Sequence, residues 1–282
     1  MILADLIKKA YKYDGVVTAY IYGDFGQGKT SYALWVAYNV LGSWDKVLDH
    51  LFFDPEEAVK VMGEVIRKGD RLKLIIMDDA GLWLDRLTWW EEKKVTFMNF
   101  FNLIRSVAAG VLFTTPSQEL PKQILNKCMF RVSIRHTSKE EVVKFVGEDG
   151  YREVEELIMK YGLKPLVNVA VGYKLRMLPS FTEFVSKEFY DFYPLHYPIH
   201  EEYERKRRKA LEKYFRKWEE EVNARETAAK KLREDLYVKA REMLMSGVSD
   251  REVLKYLRNL GIPQTTAFRW VKKLKNELEG GG

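Results

Sequence analysis

The chain has a single cysteine, Cys128, and four histidines among 282 residues. One thiol excludes an intramolecular disulfide and any cysteine-rich zinc site, which suits a reducing compartment. His50, His136, His196 and His200 show no metal-ligand spacing. His196 and His200 are four apart, but Pro198 between them argues against a shared helix face. No apolar stretch approaches the roughly 20 residues that a membrane-spanning helix needs. The N-terminus lacks a basic segment followed by an apolar run, so no secretory signal is expected. These absences lead us to expect a cytoplasmic protein with no membrane partner.

What is present is a substantial core and an uneven charge. Hydrophobic residues make up 46% of the chain, enough for one medium domain with a smaller one beside it. The net charge is +6, and residues 196–282 carry all of it, with 21 Lys+Arg against 15 Asp+Glu. The preceding 195 residues hold 26 of each and are neutral. A basic excess confined to one end suggests a separate module facing a polyanion.

Gly23-Asp24-Phe25-Gly26-Gln27-Gly28-Lys29-Thr30 matches the phosphate-binding loop pattern G-x-x-x-x-G-K-[ST] in full. Before it, Val16 to Tyr22 is β-branched and aromatic and reads as a buried strand; after it, Ser31 to Tyr38 reads as a helix. Strand, glycine loop and helix are the arrangement that turns backbone N–H groups toward phosphates at a helix N-terminus. Residues 23 to 31 are therefore the expected nucleotide cradle. Lys29 is placed to reach the β- and γ-phosphates, and Thr30 to ligate Mg²⁺.

Hydrolysis needs further carboxylates. Leu72 to Met77 is an apolar strand ending in Asp78-Asp79, and open α/β sheets hold ligands at such C-terminal strand ends. Asp78 is assigned to Mg²⁺ and Asp79 to the attacking water. The following strand, Gly110 to Thr115, offers Thr114 or Thr115 to sense the γ-phosphate, with Thr114 preferred; ordinary strand-end capping is the alternative. Strands at about 50–53, 72–77, 110–115 and 130–135 alternate with helices at 55–68, 89–107 and 120–126. That order implies a parallel sheet covered on both faces. Trp83, Trp89 and Trp90 read either as a partner surface or as anchors for the following helix.

With these residues in hand the chain resembles the ASCE/AAA+ class of P-loop ATPases. The resemblance is closest to the DnaA/DnaC-like ATPases of archaeal viruses and plasmids, and rests on Gly23-x4-Gly28-Lys29-Thr30, Ile75 to Gly81 and Phe113 to Pro116. It covers roughly residues 10–195 and implies ATP and Mg²⁺ as cofactors, ATP hydrolysis and a homo-oligomer. Where the class carries an arginine finger this chain has Asn126 to Arg131, so Lys127 or Arg131 would act in trans, unless both are plain surface charges. Residues 136–195 read as a β-rich appendage, with no helical lid offering a second sensor arginine.

Residues 196–232 read as a charged helical linker, either solvated or lying on DNA as a basic arm. The last module, residues 233–279, is expected to be a helix-turn-helix. Leu236 to Met245 reads as its first helix, Ser249 to Glu252 as a capping box, and Gly261-Ile262-Pro263 as the turn before a helix from Gln264. Tyr256, Leu260, Ile262, Ala267 and Trp270 are expected to be buried, and Leu257 departs from the small residue usual at its position. The segment 261–270 resembles the resolvase and transposase type of DNA-binding domain. On that model Gln264, Thr265, Thr266, Arg269 and Lys273 face the major groove of double-stranded DNA. Gln264 and Arg269 suit base edges, while Lys272 and Lys275 suit phosphates. The expected role is replication initiation or helicase loading, with a replicative helicase or a recombinase as partner. The alternatives are a nucleotide-switched transcriptional regulator and a transposition or partition ATPase.

Overall fold

A computed structural model describes residues 1–80, 92–116, 122–177 and 183–279. The chain divides into two compact units, Met1–Ala210 and Leu211–Gly282. In the first, α1 (Ile2–Lys12) precedes β1 (Val17–Tyr22), and the glycine loop leads into α2 (Lys29–Leu41). Next come β2 (Leu51–Phe52), α3 (Pro55–Lys68), β3 (Ile75–Met77), α4 (Glu92–Asn102), α5 (Ile104–Val107) and β4 (Gly110–Thr115). They are followed by α6 (Lys122–Leu125), β5 (Phe130–His136), α7 (Lys139–Tyr161), β6 (Val167–Met177) and β7 (Glu183–Pro194). Local chemistry accounts for the boundaries. In α3 the Asp54 side chain accepts from Glu56 N–H, Pro55 starts the first turn, and Gly69 ends the helix in the left-handed region at φ 66°.

One seven-stranded sheet runs β2-β3-β4-β1-β5-β6-β7. The first five strands are parallel neighbours, and β6 and β7 add antiparallel strands beyond β5. β4 lies between β1 and β3, so the strand bearing Thr114 separates the phosphate loop from the acidic strand end. Alternating side chains feed two cores. Ala19 and Ile21 of β1 pack with α1 and α2 residues such as Ile7, Leu34 and Trp35. Tyr20 points the other way, into a cluster with Ile75, Met77, Phe113, Phe97 and Phe101.

The β-rich appendage expected over residues 136–195 is corrected in two respects. Its first part is α7, which begins at a Ser138 N-cap and is broken only at Gly147, where φ is 75°. Its strands are not an annex but a continuation of the main sheet through the β5–β6 ladder. Gly172 explains how β6 and β7 stay close: a Cβ there would lie 2.2 Å from the Phe189 ring.

The helix expected at residues 236–245 is not separate either. It is the end of α8 (His200–Met245), because no glycine or proline interrupts this stretch. The second unit closes on itself with α9 (Asp250–Asn259) and α10 (Gln264–Glu279) around Leu236, Ala240, Val253, Leu257, Ala267, Val271 and Leu274. Ser249 and Glu252 form the anticipated capping box. Leu257 is fully buried, whereas Leu260, expected inside, is 49% exposed, and Tyr256 and Trp270 are only half-buried. Among the described residues no helix is long and apolar enough to cross a membrane.

Candidate nucleotide site

Residues 23 to 28 fold as a loop because the chain passes three times through positive φ: Gly23 at 156°, Gly26 at 77° and Gly28 at 85°. Gly28 is the residue immediately before α2. A Cβ at Gly28 would sit 2.6 Å from Asn168 Nδ2 and 2.7 Å from Leu195 Cδ1, so both space and backbone demand glycine. Asp24 and Gln27 clasp each other across the loop: Asp24 N–H donates to Gln27 Oε1 at 3.1 Å, and Gln27 Nε2 donates to Asp24 Oδ2 at 3.1 Å. Lys29 Nζ reaches over the loop to the carbonyls of Gly23 (2.9 Å) and Asp24 (2.8 Å). Burial holds its ammonium below the usual lysine range, opposed by the charges of Asp79, Asp78 and Asp24. Phe25 stands 86% exposed at the loop tip, and Ser31 is buried in the first turn of α2.

The acidic pair sits directly beside this loop. Asp78 follows β3 with no solvent exposure. Its Oδ1 accepts from Thr30 Oγ1 at 3.0 Å and from Thr114 Oγ1, and its Oδ2 accepts from Tyr203 Oη at 2.7 Å. Burial pushes this carboxyl up, and neighbouring Asp79 adds to the effect; the hydrogen bonds from Thr114, Tyr203 and Thr30 pull it back. Asp79 holds a left-handed φ of 50°, unusual for a residue with a side chain, and its N–H donates to Thr114 Oγ1 at 3.1 Å. Thr114 thus ties both acids to the end of β4. An adjacent hydroxyl and carboxylate are oxygen donors of the kind a small hard cation such as Mg²⁺ takes, so Thr30 and Asp78 fit the metal expected here.

Two partners of the acids come from the start of α8, a stretch the sequence presented only as a charged linker. Besides Tyr203 on Asp78, Arg207 donates to Asp79 Oδ2 through Nε (3.1 Å) and Nη2 (2.9 Å). Between them Lys206 Nζ donates to the carbonyls of Leu51 (2.6 Å) and Leu48. Residues 203, 206 and 207 share one helix face, so three polar contacts seat α8 against the ends of β2 and β3. Burial and the Asp78 charge raise the Tyr203 phenol far above its ordinary range, which keeps it a donor.

The added strands also serve the loop. Asn168 of β6 donates through Nδ2 to the Gln27 carbonyl at 2.6 Å, and its Oδ1 lies 2.8 Å from His136 Nδ1. Tyr193 Oη of β7 donates to the Gly28 carbonyl at 3.1 Å. These two bonds hold the carbonyls of Gln27 and Gly28 against β6 and β7. An asparagine and a tyrosine some 140 and 165 residues downstream carry no motif, and only their inward positions on alternating strands hint at a role.

Lys127 lies toward the end of the sheet away from its own chain's phosphate loop, beside Thr18, and Arg131 lies level with the middle of β1. Arg131 stands opposite Tyr20, two pairs before the Tyr22–Ser133 pair next to the loop, and Lys127 comes before β5 begins. Lys127 Nζ donates to Asn102 Oδ1. Trp83, Trp89 and Trp90, Gly81 and the segment from Leu120 to Pro121 lie outside the described residues.

In the second unit Gln264, Thr265, Arg269, Lys272 and Lys273 are exposed on α10 and Thr266 is half-buried. Lys273 pairs with Glu277 at 3.8 Å and Lys275 with Asp250 at 2.9 Å. A groove between α9 and α10 is lined by Arg251, Lys255, Arg258, Gln264, Lys272 and Phe268, the last 58% exposed.

No protein-family model matches the chain. It is 42% identical over 124 residues to the uncharacterized protein B-251 of Sulfolobus spindle-shape virus 1, a match covering 41% of this chain and 49% of that protein. It is 29% identical over 140 residues to the uncharacterized protein ORF286 of Acidianus two-tailed virus, covering 45% and 49%. The chain spans about half the length of the curated relatives it matches. Among solved structures, the flagellar accessory protein FlaH from Methanocaldococcus jannaschii aligns over 66% of this chain and 95% of its own, with 14% identity and a TM-score of 0.32. The genome packaging NTPase B204 from Sulfolobus turreted icosahedral virus 2, in complex with AMPPCP, aligns over 62% and 98%, with 11% identity and a TM-score of 0.33. The sequence relatives of this chain are proteins of archaeal viruses.

Proposed function

We propose that the chain is a Mg²⁺-dependent ATPase of an archaeal virus or plasmid whose C-terminal unit binds double-stranded DNA. The observation that carries the reading is the convergence of the Thr30 and Thr114 hydroxyls on the Asp78 carboxylate, directly beside a glycine loop capped by Lys29. Thr30 and Asp78 would hold the metal, which when bound would supply positive charge against the phosphates. The loop amides and Lys29 bind the phosphates, with the partial positive charge of the α2 N-terminus behind them. Asp79 lies beside Asp78 and polarises the attacking water, while Thr114 fixes the relation between the two acids. The capping box, the Gly261 turn and the exposed Gln264, Arg269 and Lys272 support a helix-turn-helix reading of the second unit.

An ATP site and a duplex reader on one chain fit nucleotide-controlled assembly on DNA, as in replication initiation or helicase loading, with Lys127 or Arg131 serving a neighbouring subunit. The test measures ATP turnover and oligomeric mass with and without duplex DNA. Turnover that needs Mg²⁺ and disappears in Lys29→Ala and Asp79→Asn, with assembly on DNA, is the expected result. Turnover that survives both substitutions would overturn the site. Binding of DNA without turnover or assembly would favour the nucleotide-switched regulator.

A further inference from the structure

The acids of the site present a charge problem that the phosphate loop alone does not solve. Asp78 and Asp79 are adjacent in sequence, Asp78 is fully buried, and Lys29 is the cation that the loop itself contributes. A nucleoside triphosphate brings its terminal phosphate to this end of the sheet, and a diphosphate does not. The triphosphate therefore meets more like-charge repulsion from Asp79 than the diphosphate does. Arg207 is where a counter-charge is needed. Both its Nε and its Nη2 converge on one oxygen of Asp79, and the side chain is only 39% exposed. Its place is not accidental to a long mobile side chain, because Tyr203 and Lys206 anchor the same helical turn to Asp78 and to the β2 end.

We propose that Arg207 is a positioning residue that neutralises Asp79 so that the site accepts a triphosphate, making the start of α8 a determinant of triphosphate over diphosphate preference. This rests on the reading of residues 23–31 as a nucleotide site and adds to it a residue from outside every motif. Because Arg207 belongs to α8, a change in its hold on Asp79 acts on the first turns of a helix that continues to Met245.

The experiment is equilibrium binding of Mg·AMPPNP and of Mg·ADP to the full chain, its Arg207→Gln and Arg207→Lys variants, and the double variant Arg207→Gln/Asp79→Asn. The wild type is measured first. In Arg207→Gln, triphosphate affinity should fall by about tenfold while ADP affinity changes by less than about twofold, since only the former adds charge beside Asp79. Arg207→Lys should recover part of the loss. The double variant should recover most of it, because removing the Asp79 charge removes the need for the cation. Equal losses for both nucleotides would mean that Arg207 is a strap for the helix and would overturn the proposal. So would an unchanged ratio of the two affinities, or failure of Asp79→Asn to restore it. Arg207→Lys, which keeps the charge and the approximate length, carries the same comparison if Arg207→Gln does not fold. A wild type that binds neither nucleotide would remove the nucleotide site itself, and with it this inference. A wild type that binds both, with the ratio unmoved in the variants, would remove the inference alone.

Discussion

At Asp78 a carboxylate with no exposure to water accepts three hydroxyl donors while a second acid stands next to it. Burial and Asp79 together hold its folded pKa above the unfolded value of about 3.9. Between the unfolded value and the raised folded one, the native state therefore binds more proton than the unfolded chain does. Stability contributed by this group is whole below the unfolded pKa and is lost as pH climbs from there through the raised folded value. Asp78→Asn keeps an acceptor for Thr30 and Thr114 but carries no charge. We expect it to melt higher than the wild type at neutral pH, with the gap closing as pH falls toward 4. A gain of about 1 kcal/mol would appear as roughly 2–4 °C in a unit of this size. Thermal melts at matched pH values check this, and a lower melting point at neutral pH would mean that the hydroxyl donors outweigh the burial. Metal-dependent turnover should be lost in the same variant, so stability and activity part company at one residue.

At the level of elements, the two added strands bear on the rigidity of the site. Tyr193 of β7 bonds the Gly28 carbonyl and lies within 3.5 Å of Asn168, which in turn bonds Gln27. Tyr193→Phe removes one hydroxyl and leaves the ring among its neighbours. Loss of one buried hydrogen bond costs about 1 kcal/mol, so affinity for Mg·ADP should drop by about fivefold if the loop loses its preset shape. Unchanged affinity with an equal loss of melting temperature would assign the bond to folding alone. In the second unit Ser249→Ala breaks the capping box and should cost about 1 kcal/mol, read as a lower denaturant midpoint for that unit. The capping box, the loop and the acid strand were legible in the sequence because each is local: a few residues at fixed spacing with their own chemistry. The β-rich character of residues 136–195 was legible but its pairing with β5 was not, since register across a sheet is set by side chains far apart in the chain. α7 was missed because Gly147 and Gly150 interrupt its pattern. Tyr203 and Arg207 were hidden for the opposite reason: in a stretch rich in Lys, Arg and Glu, a functional arginine looks like every solvated one.

For the molecule as a whole, packing separates the two units more clearly than charge does, since Leu211–Gly282 carries 16 Lys+Arg against 12 Asp+Glu and Met1–Ala210 carries 31 against 29. The first unit has its own double core, and the helical unit closes around Leu257 and Leu274. If the exposed cations of α10 contact phosphates, binding must weaken with salt, because each neutralised phosphate releases counterions. Lys272 is exposed on α10 and lines the groove beside α9, whereas Lys273 is partly engaged with Glu277. Lys272→Ala should therefore lower duplex affinity for all sequences alike and reduce the slope of log affinity against log salt by about 1. Arg269→Ala, by contrast, should blunt discrimination between sequences while changing the slope less, since a base edge carries no counterion to release. Titrations of a random-sequence duplex pool and of sequences selected from it, at several salt concentrations, separate the two effects. Equal slopes in the wild type and Lys272→Ala would move the phosphate contact off this lysine. A wild type whose affinity ignores salt would mean that the basic face of this unit meets something other than a nucleic-acid backbone.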